Sequence, residues 1–327
     1  MEMMKRAFGF GVVLAIAALA YAMPVMAQEG TGKRIALTYD DAPMGDRHMS
    51  GEERAAMLTA GLAEAGVEQA AFFVTTRGIN SPVRLARIQN YAAAGHVIAN
   101  HSHTHPWLRE VTPNEYLADI DTAEMMLAVF ENRRPWFRFP FLNEAPDLEK
   151  RNAVREGLAE RGLKNGYVTV DTYDWYLDSL YQKARKEGEA VCEANLGRLY
   201  TDMIVDAANF YDEASREYLG RPVAHTLLLH ENDIAAMFIT DLVAALEADG
   251  WEIVTADAAY ADPIFEVEPD TRFLGMGRVA ALASLAGKPG PEFSFLAVEE
   301  EAIDEALYES YGILGVENGE CGTGRRE

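Results

Sequence analysis

With 327 residues, 49% of them apolar and 25% charged, the chain is long enough for one large α/β domain or two modest ones with a sizeable core. A net charge of −23, from 29 basic and 52 acidic residues, disfavours nucleic acid or an anionic lipid surface as a partner and suits neutral or cationic ligands.

Lys5 and Arg6 precede an uncharged run from Ala7 to Ala27, and Val25-Met26-Ala27 sets small residues before Gln28. This pattern predicts a secretory signal peptide over residues 1–27. An uncleaved anchor is the alternative, disfavoured by Pro24 and the polar change at Gln28-Glu29. The mature protein is then expected to be exported, periplasmic or secreted, with no stable membrane insertion. Cys192 and Cys321 are the only cysteines, and export permits a disulfide without showing that the two meet.

A first strand is expected at Arg34–Tyr39, ending on Asp40-Asp41. A helix follows at Ser50–Ala65, capped by Ser50 and stopped by Gly66. Gln69–Thr75 reads as a strand, Ser81–Ala94 as a helix, and His96–Asn100 as a strand running into a histidine cluster. Thr112–Asn132 reads as a helix with Thr112 as cap and Pro113 at its first position. Then come a strand in Pro135–Pro140, a helix at Asp147–Arg161 and a strand at Tyr167–Asp171. A strand at Thr226–His230, a helix to Ala248 and a strand at Trp251–Thr255 complete the series. This alternation predicts a parallel α/β sheet or barrel, whose active site forms at the C-terminal strand edge. Asp40, His101, the Asp171–Asp174 segment and His230 all fall on that edge. Residues 176–222 read as a helical insertion. Residues 261–327 read as a C-terminal extension with an apolar helix near Leu274–Leu285, a Gly-Pro break, an acidic helix near Val298–Tyr311 and a disordered end.

One carboxylate and two histidines are a common ligand set for a catalytic divalent ion. His101 and His105, at i and i+4, would face the same way on a helical turn, with His103 facing away. Two adjacent aspartates on regular backbone face different directions, so one would bind the ion and the other act as a base. Aspartates after a strand also serve as turn formers and caps. Arg138 is either buried against a carboxylate or lies on the surface over Trp136. His230, ending an apolar strand, is either catalytic or a structural core residue.

Five segments, in order, resemble the motifs of carbohydrate esterase family 4, the NodB-like polysaccharide deacetylases. They are Thr38-Tyr-Asp-Asp-Ala-Pro43, His101-Ser-His-Thr-His105, Arg138-Phe-Pro-Phe141, Asp171-Thr-Tyr-Asp-Trp175 and Leu227-Leu-Leu-His230. The resemblance implies a distorted (β/α)7-type barrel over residues 33–260. It also implies hydrolysis of N- or O-acetyl groups on a glycan through one divalent ion, typically zinc. Asp41, His101 and His105 resemble the metal ligands, Asp40 the base and His230 the acid. Arg138 resembles the residue orienting the base, Asp174 the one tuning His230, Trp175 a pocket wall, and the Phe141 N–H an oxyanion donor. A catalytically silent glycan-binding protein on the same fold is the alternative. Three features depart from the pattern. Ala42 stands where glycine is usual, which is expected to alter the backbone near the ion. Phe141 replaces an aromatic that often carries a hydroxyl. The segment 176–222 is longer than usual, long enough to close over a sugar groove.

Overall fold

Strand β1 (Lys33–Ala42) is buried along most of its length, and it is the axis on which the fold is assembled. Its near-continuous apolar run is what a parallel strand covered on both faces requires. Along one edge, Arg34–Asp40 pairs in parallel with β6 (Ala224–His230). The other edge is shared: β7 (Trp251–Ile253) pairs with Lys33–Ile35, and β2 (Ala71–Val74) with Thr38–Ala42. The sheet continues through β3 (Val97–Asn100) and β4 (Arg133–Phe137) to the two-residue β5 (Lys164–Asn165), in the order β5-β4-β3-β2-β1-β6. The computed structural model describes residues 32–272, 275–287, 299–306, 310–314 and 321. The expected signal peptide and the last ten residues, apart from Cys321, lie outside the described residues.

Helices α1 (Gly51–Glu64), α2 (Pro82–Ala93), α3 (Pro113–Leu127) and α4 (Leu148–Glu160) connect successive strands. Ser50 and Thr112 cap their helices as expected, Thr112 in a reciprocal capping box with Glu115, and Ser81 and Asp147 also accept from the first turns of theirs. Helix α3 ends at Leu127 rather than Asn132, because the Phe130 and Arg133 amides turn back onto Leu127 and Phe130.

The expected strand at Tyr167–Asp171 is not a regular strand. Gly166 still donates to Phe137 of β4. The Thr169 and Val170 amides then donate to Thr226 of β6, and Leu228 donates to Val170. This irregular closure segment thus carries the chain from one edge of the sheet to the other. The result is a distorted barrel, as expected, with one seam held by scattered bonds instead of a full ladder.

The insertion is helical, as read, with α5 (Asp174–Glu187) and α6 (Glu193–Leu219). Helix α6 does not close over a groove. Leu196, Leu199, Tyr200, Met203, Ile204, Ala207 and Tyr211 are buried in the main core, at the spacing of a helix face. That face packs on α7 (Asp233–Ala248), where a Cβ on Gly197 would lie 2.8 Å from the Phe238 ring, so the close approach needs glycine. After α8 (Ala256–Ala259), the extension supplies α9 (Gly277–Leu285) and α10 (Glu300–Glu305), while the expected Gly-Pro break and part of each expected helix lie outside the described residues. Cys192 and Cys321 form a disulfide, with Cα atoms 5.3 Å apart. Among the described residues no helix is long and apolar enough to cross a membrane.

Candidate active site

The C-terminal ends of β1, β3 and β6 deliver Asp40, Asp41, His101 and His230 to one cleft of ≈ 490 Å³, and the start of α5 sets the fully buried Asp174 against His230. Two local departures from regular backbone make this possible. Asp41 has φ 65°, so β1 leaves the pleat there and the second carboxylate turns toward the same cavity as the first. The strain falls on Asp41 and not on Ala42, which is fully buried where the resemblance has glycine. The histidine pair is not on a helical turn either. Ser102 and His105 have φ 71° and 57°, and this left-handed loop folds His105 back so that its ring lies 4.9 Å from that of His101. His103 points elsewhere, its Nδ1 2.9 Å from the Thr76 hydroxyl.

Asp41 Oδ1 lies 3.5 Å from His105 Nε2 and 3.8 Å from His101 Nε2, and one ligand atom from each of the three lies within 4.8 Å of the others. The Thr75 hydroxyl donates to the same Asp41 oxygen at 3.2 Å. His101 Nδ1 sits 2.9 Å from the Arg138 carbonyl, which fixes the tautomer with its proton there and leaves Nε2 as a lone-pair donor. Burial, with His105 nearby, pushes the His101 pKa down to about 3, so the ring is neutral as a ligand must be. Burial opposes ionisation of Asp41, but His105, His101 and His230 hold its pKa below the ordinary value. Two imidazoles and a carboxylate fit a zinc-like divalent ion.

Asp40 is buried beside this set, its Oδ2 3.5 Å from His101 Nε2. Its other oxygen accepts from Arg138 Nη1. Arg138 is fully buried and fully engaged: it donates to the Gly166 carbonyl at 2.8 Å, the Thr38 hydroxyl at 3.0 Å and the Tyr260 hydroxyl at 2.7 Å. Its guanidinium stacks on Phe73 at 3.7 Å, so the surface alternative over Trp136 is excluded. His230 Nδ1 lies 2.7 Å from Asp174 Oδ1, while the His230 amide donates to Asp174 Oδ2 at 2.8 Å. Burial lowers the His230 pKa. The Asp174 charge and hydrogen bond outweigh it, with help from Asp41 and Asp40, and raise it to about 9.

Phe141 (φ 60°) and Trp175 are half exposed at the cleft. Phe141 packs on His105 and Trp107, with centroids 4.5 and 4.7 Å apart, and Trp175 on Tyr173 at 5.3 Å. Three contributors were missed in the sequence. The motifs give Asp171 no role; it lines the cleft, is buried with one orphaned oxygen, and burial raises its pKa to about 8. Glu231, next to His230, is buried and accepts from Met44 N–H, Arg87 and Tyr91. Gly275 brings the C-terminal extension to the cleft wall. Asp171 had a signal, an acid at a strand end; the other two had none.

Residues 27–163 match the family described as polysaccharide deacetylase, so the resemblance read from the motifs is borne out over that stretch. Asp174 and His230 lie beyond it. Over 108 residues the chain is 31% identical to the uncharacterised protein YlxY of Bacillus subtilis, covering 33% of this chain and 31% of that protein. A family 4 carbohydrate esterase from Streptomyces lividans, solved with acetate, is similar over 70% of this chain and 97% of its own, at 20% identity and TM-score 0.47. The peptidoglycan deacetylase PdaC of Bacillus subtilis is similar over 70% and 90%, at 19% identity and TM-score 0.46. A family 4 pseudoenzyme from Bacillus anthracis is similar over 70% and 65%, at 18% identity and TM-score 0.47.

Proposed function

We propose that this protein is a metal-dependent carbohydrate deacetylase that releases acetate from an acetylated oligo- or polysaccharide. The observation that carries this reading is the convergence of a three-residue ligand set, a separate buried carboxylate and a carboxylate-paired imidazole in one cleft. Asp41, His101 and His105 would hold one divalent ion, most simply zinc, which when bound supplies Lewis acidity to a water and to the acetyl carbonyl. Asp40, oriented by Arg138, takes a proton from the attacking water. As the carbonyl carbon becomes tetrahedral, the Phe141 N–H donates to its oxygen, a contribution of about 3–4 kcal/mol for one good donor. His230 is protonated by virtue of Asp174 and gives its proton to the leaving nitrogen or oxygen, so the sugar departs neutral and acetate is the other product. The exposed rings of Phe141 and Trp175 offer stacking faces for sugar rings.

The same reading places the mature protein outside the cytoplasm, supported by the leader pattern and by the Cys192–Cys321 disulfide. The test is acetate release by the purified mature protein with added zinc on acetylated chitooligosaccharides, xylan and peptidoglycan. Release from at least one is expected. Binding to a glycan with no acetate released from any would point instead to a catalytically silent binding protein.

A further inference from the structure

Away from the cleft, the C-terminal extension meets the barrel around a second, smaller cavity. It is lined by Arg151 and Arg155 of α4, Glu144, Tyr167 of the closure segment, and Arg278 of α9. Three guanidiniums therefore face one space, and two of them have carboxylate partners. Arg151 pairs with Asp270 at 2.6 Å and donates to the Thr271 carbonyl. Arg155 pairs with Glu144 at 2.6 Å, and the other Glu144 oxygen accepts from Asn165. Among the described residues Arg278 has no such partner. It is 1% exposed, and both of its terminal nitrogens are buried without a hydrogen bond. Its contact with the Tyr167 ring, at 5.4 Å, is a weak one for a cation. The charges of Glu144 and Glu268 also reach Arg278, but neither carboxylate bonds to it.

A desolvated guanidinium with two orphaned NH₂ groups is among the costliest arrangements in a protein interior, and native structures rarely leave such donors unmet. The cavity beside it leaves ≈ 10 Å³ for the centre of a water-sized guest. One particle of that order fits; a phosphate, a sulfate or a sugar carboxylate does not. A water would accept from Arg278 but leave its charge unbalanced. A monatomic anion does both.

We propose that this cavity is a binding site for one small monovalent anion, a halide such as chloride, taken by the unpartnered Arg278 with Arg151 and Arg155 alongside. The site ties the extension to the barrel seam. The Arg278 amide already donates to the Val168 carbonyl at 2.7 Å. Gly277 (φ 80°) permits that approach, since a Cβ there would lie 2.9 Å from the Val168 oxygen. An anion at Arg278 therefore stabilises the docking of α9 on the segment that leads to Asp171 and Asp174.

Two measurements on the full mature protein test this. In crystals soaked in bromide, an anomalous peak is expected in the cavity beside Arg278; the absence of any peak there overturns the proposal. In solution, the thermal midpoint is expected to rise and saturate as chloride replaces gluconate at constant ionic strength. Arg278→Met, which removes the charge and keeps the bulk, is expected to abolish that rise. A wild-type midpoint indifferent to chloride, or a chloride response that survives in Arg278→Met, contradicts the site. If that variant does not fold, the two wild-type measurements still decide.

Discussion

Asp40 and Asp41 are neighbours in the chain and still serve one cavity, because the left-handed backbone at Asp41 cancels the alternation of a strand. The residue types and their order were legible in the sequence; the backbone that aims them was not. Positive φ at a non-glycine residue is imposed by tertiary context and leaves little local trace. The same holds for His101 and His105, whose i, i+4 spacing suggested a helical turn and whose meeting depends on Ser102 and His105 themselves. In the proposed reaction His230 carries the pH dependence. Its folded pKa, about 9, lies above the ordinary value of 6.5, so the pairing with Asp174 contributes stability fully below pH 6.5 and loses it as pH rises through about 9. In the proposed reaction His230 is the proton donor and works on the acidic side of its pKa. Asp174→Asn removes the main force raising that pKa, so the alkaline limb of acetate release is expected to move to lower pH. A pH–rate profile with an unmoved alkaline limb in Asp174→Asn would count against His230 as the acid.

Between elements, buried ion pairs hold the loop after Asp41 in place. Arg87 reaches both Glu231 oxygens at 2.6 and 2.9 Å, and Arg54 pairs with Asp233 at 2.9 Å. Both arginines also donate to the Met44 carbonyl, while Met44 N–H donates to Glu231 at 2.6 Å. Helices α1 and α2 thereby fix the loop next to the proposed ligand set against the end of β6. Glu231→Gln leaves the buried Arg87 guanidinium without its carboxylate partner. It is expected to cost about 3–5 kcal/mol by denaturant unfolding and to lower turnover as the loop loosens. A loss under about 1 kcal/mol would show that the network is not holding the loop. Helix starts were readable because caps are local chemistry, as at Ser50 and Thr112. The burial of Arg54 and Arg87 was not, since an arginine on a helix reads as solvent-facing until its partners, far along the chain, are known.

At the scale of the whole molecule, the alternation of strand and helix carried the architecture, and the strand-end rule carried the location of the cleft. The barrel seam escaped, because Tyr167–Asp171 has the composition of a strand and only scattered partners on β6. The disulfide also escaped, since two cysteines 129 residues apart say nothing of proximity. It straps the end of the extension to α6, where the Cys192 amide donates to Ile313 and Val191 bridges Leu314. Cys192→Ser is therefore expected to expose the tail to limited proteolysis while the barrel stays resistant; equal resistance of the tail in both proteins would mean the strap is dispensable. The central claim is that Asp41, His101 and His105 hold one ion while Asp40 is a separate base. Metal content and acetate release measured together on Asp40→Asn test it most directly. About one ion per chain, with release reduced by about 10²-fold or more, is predicted. Loss of the ion, or near-native release with the ion in place, would contradict it.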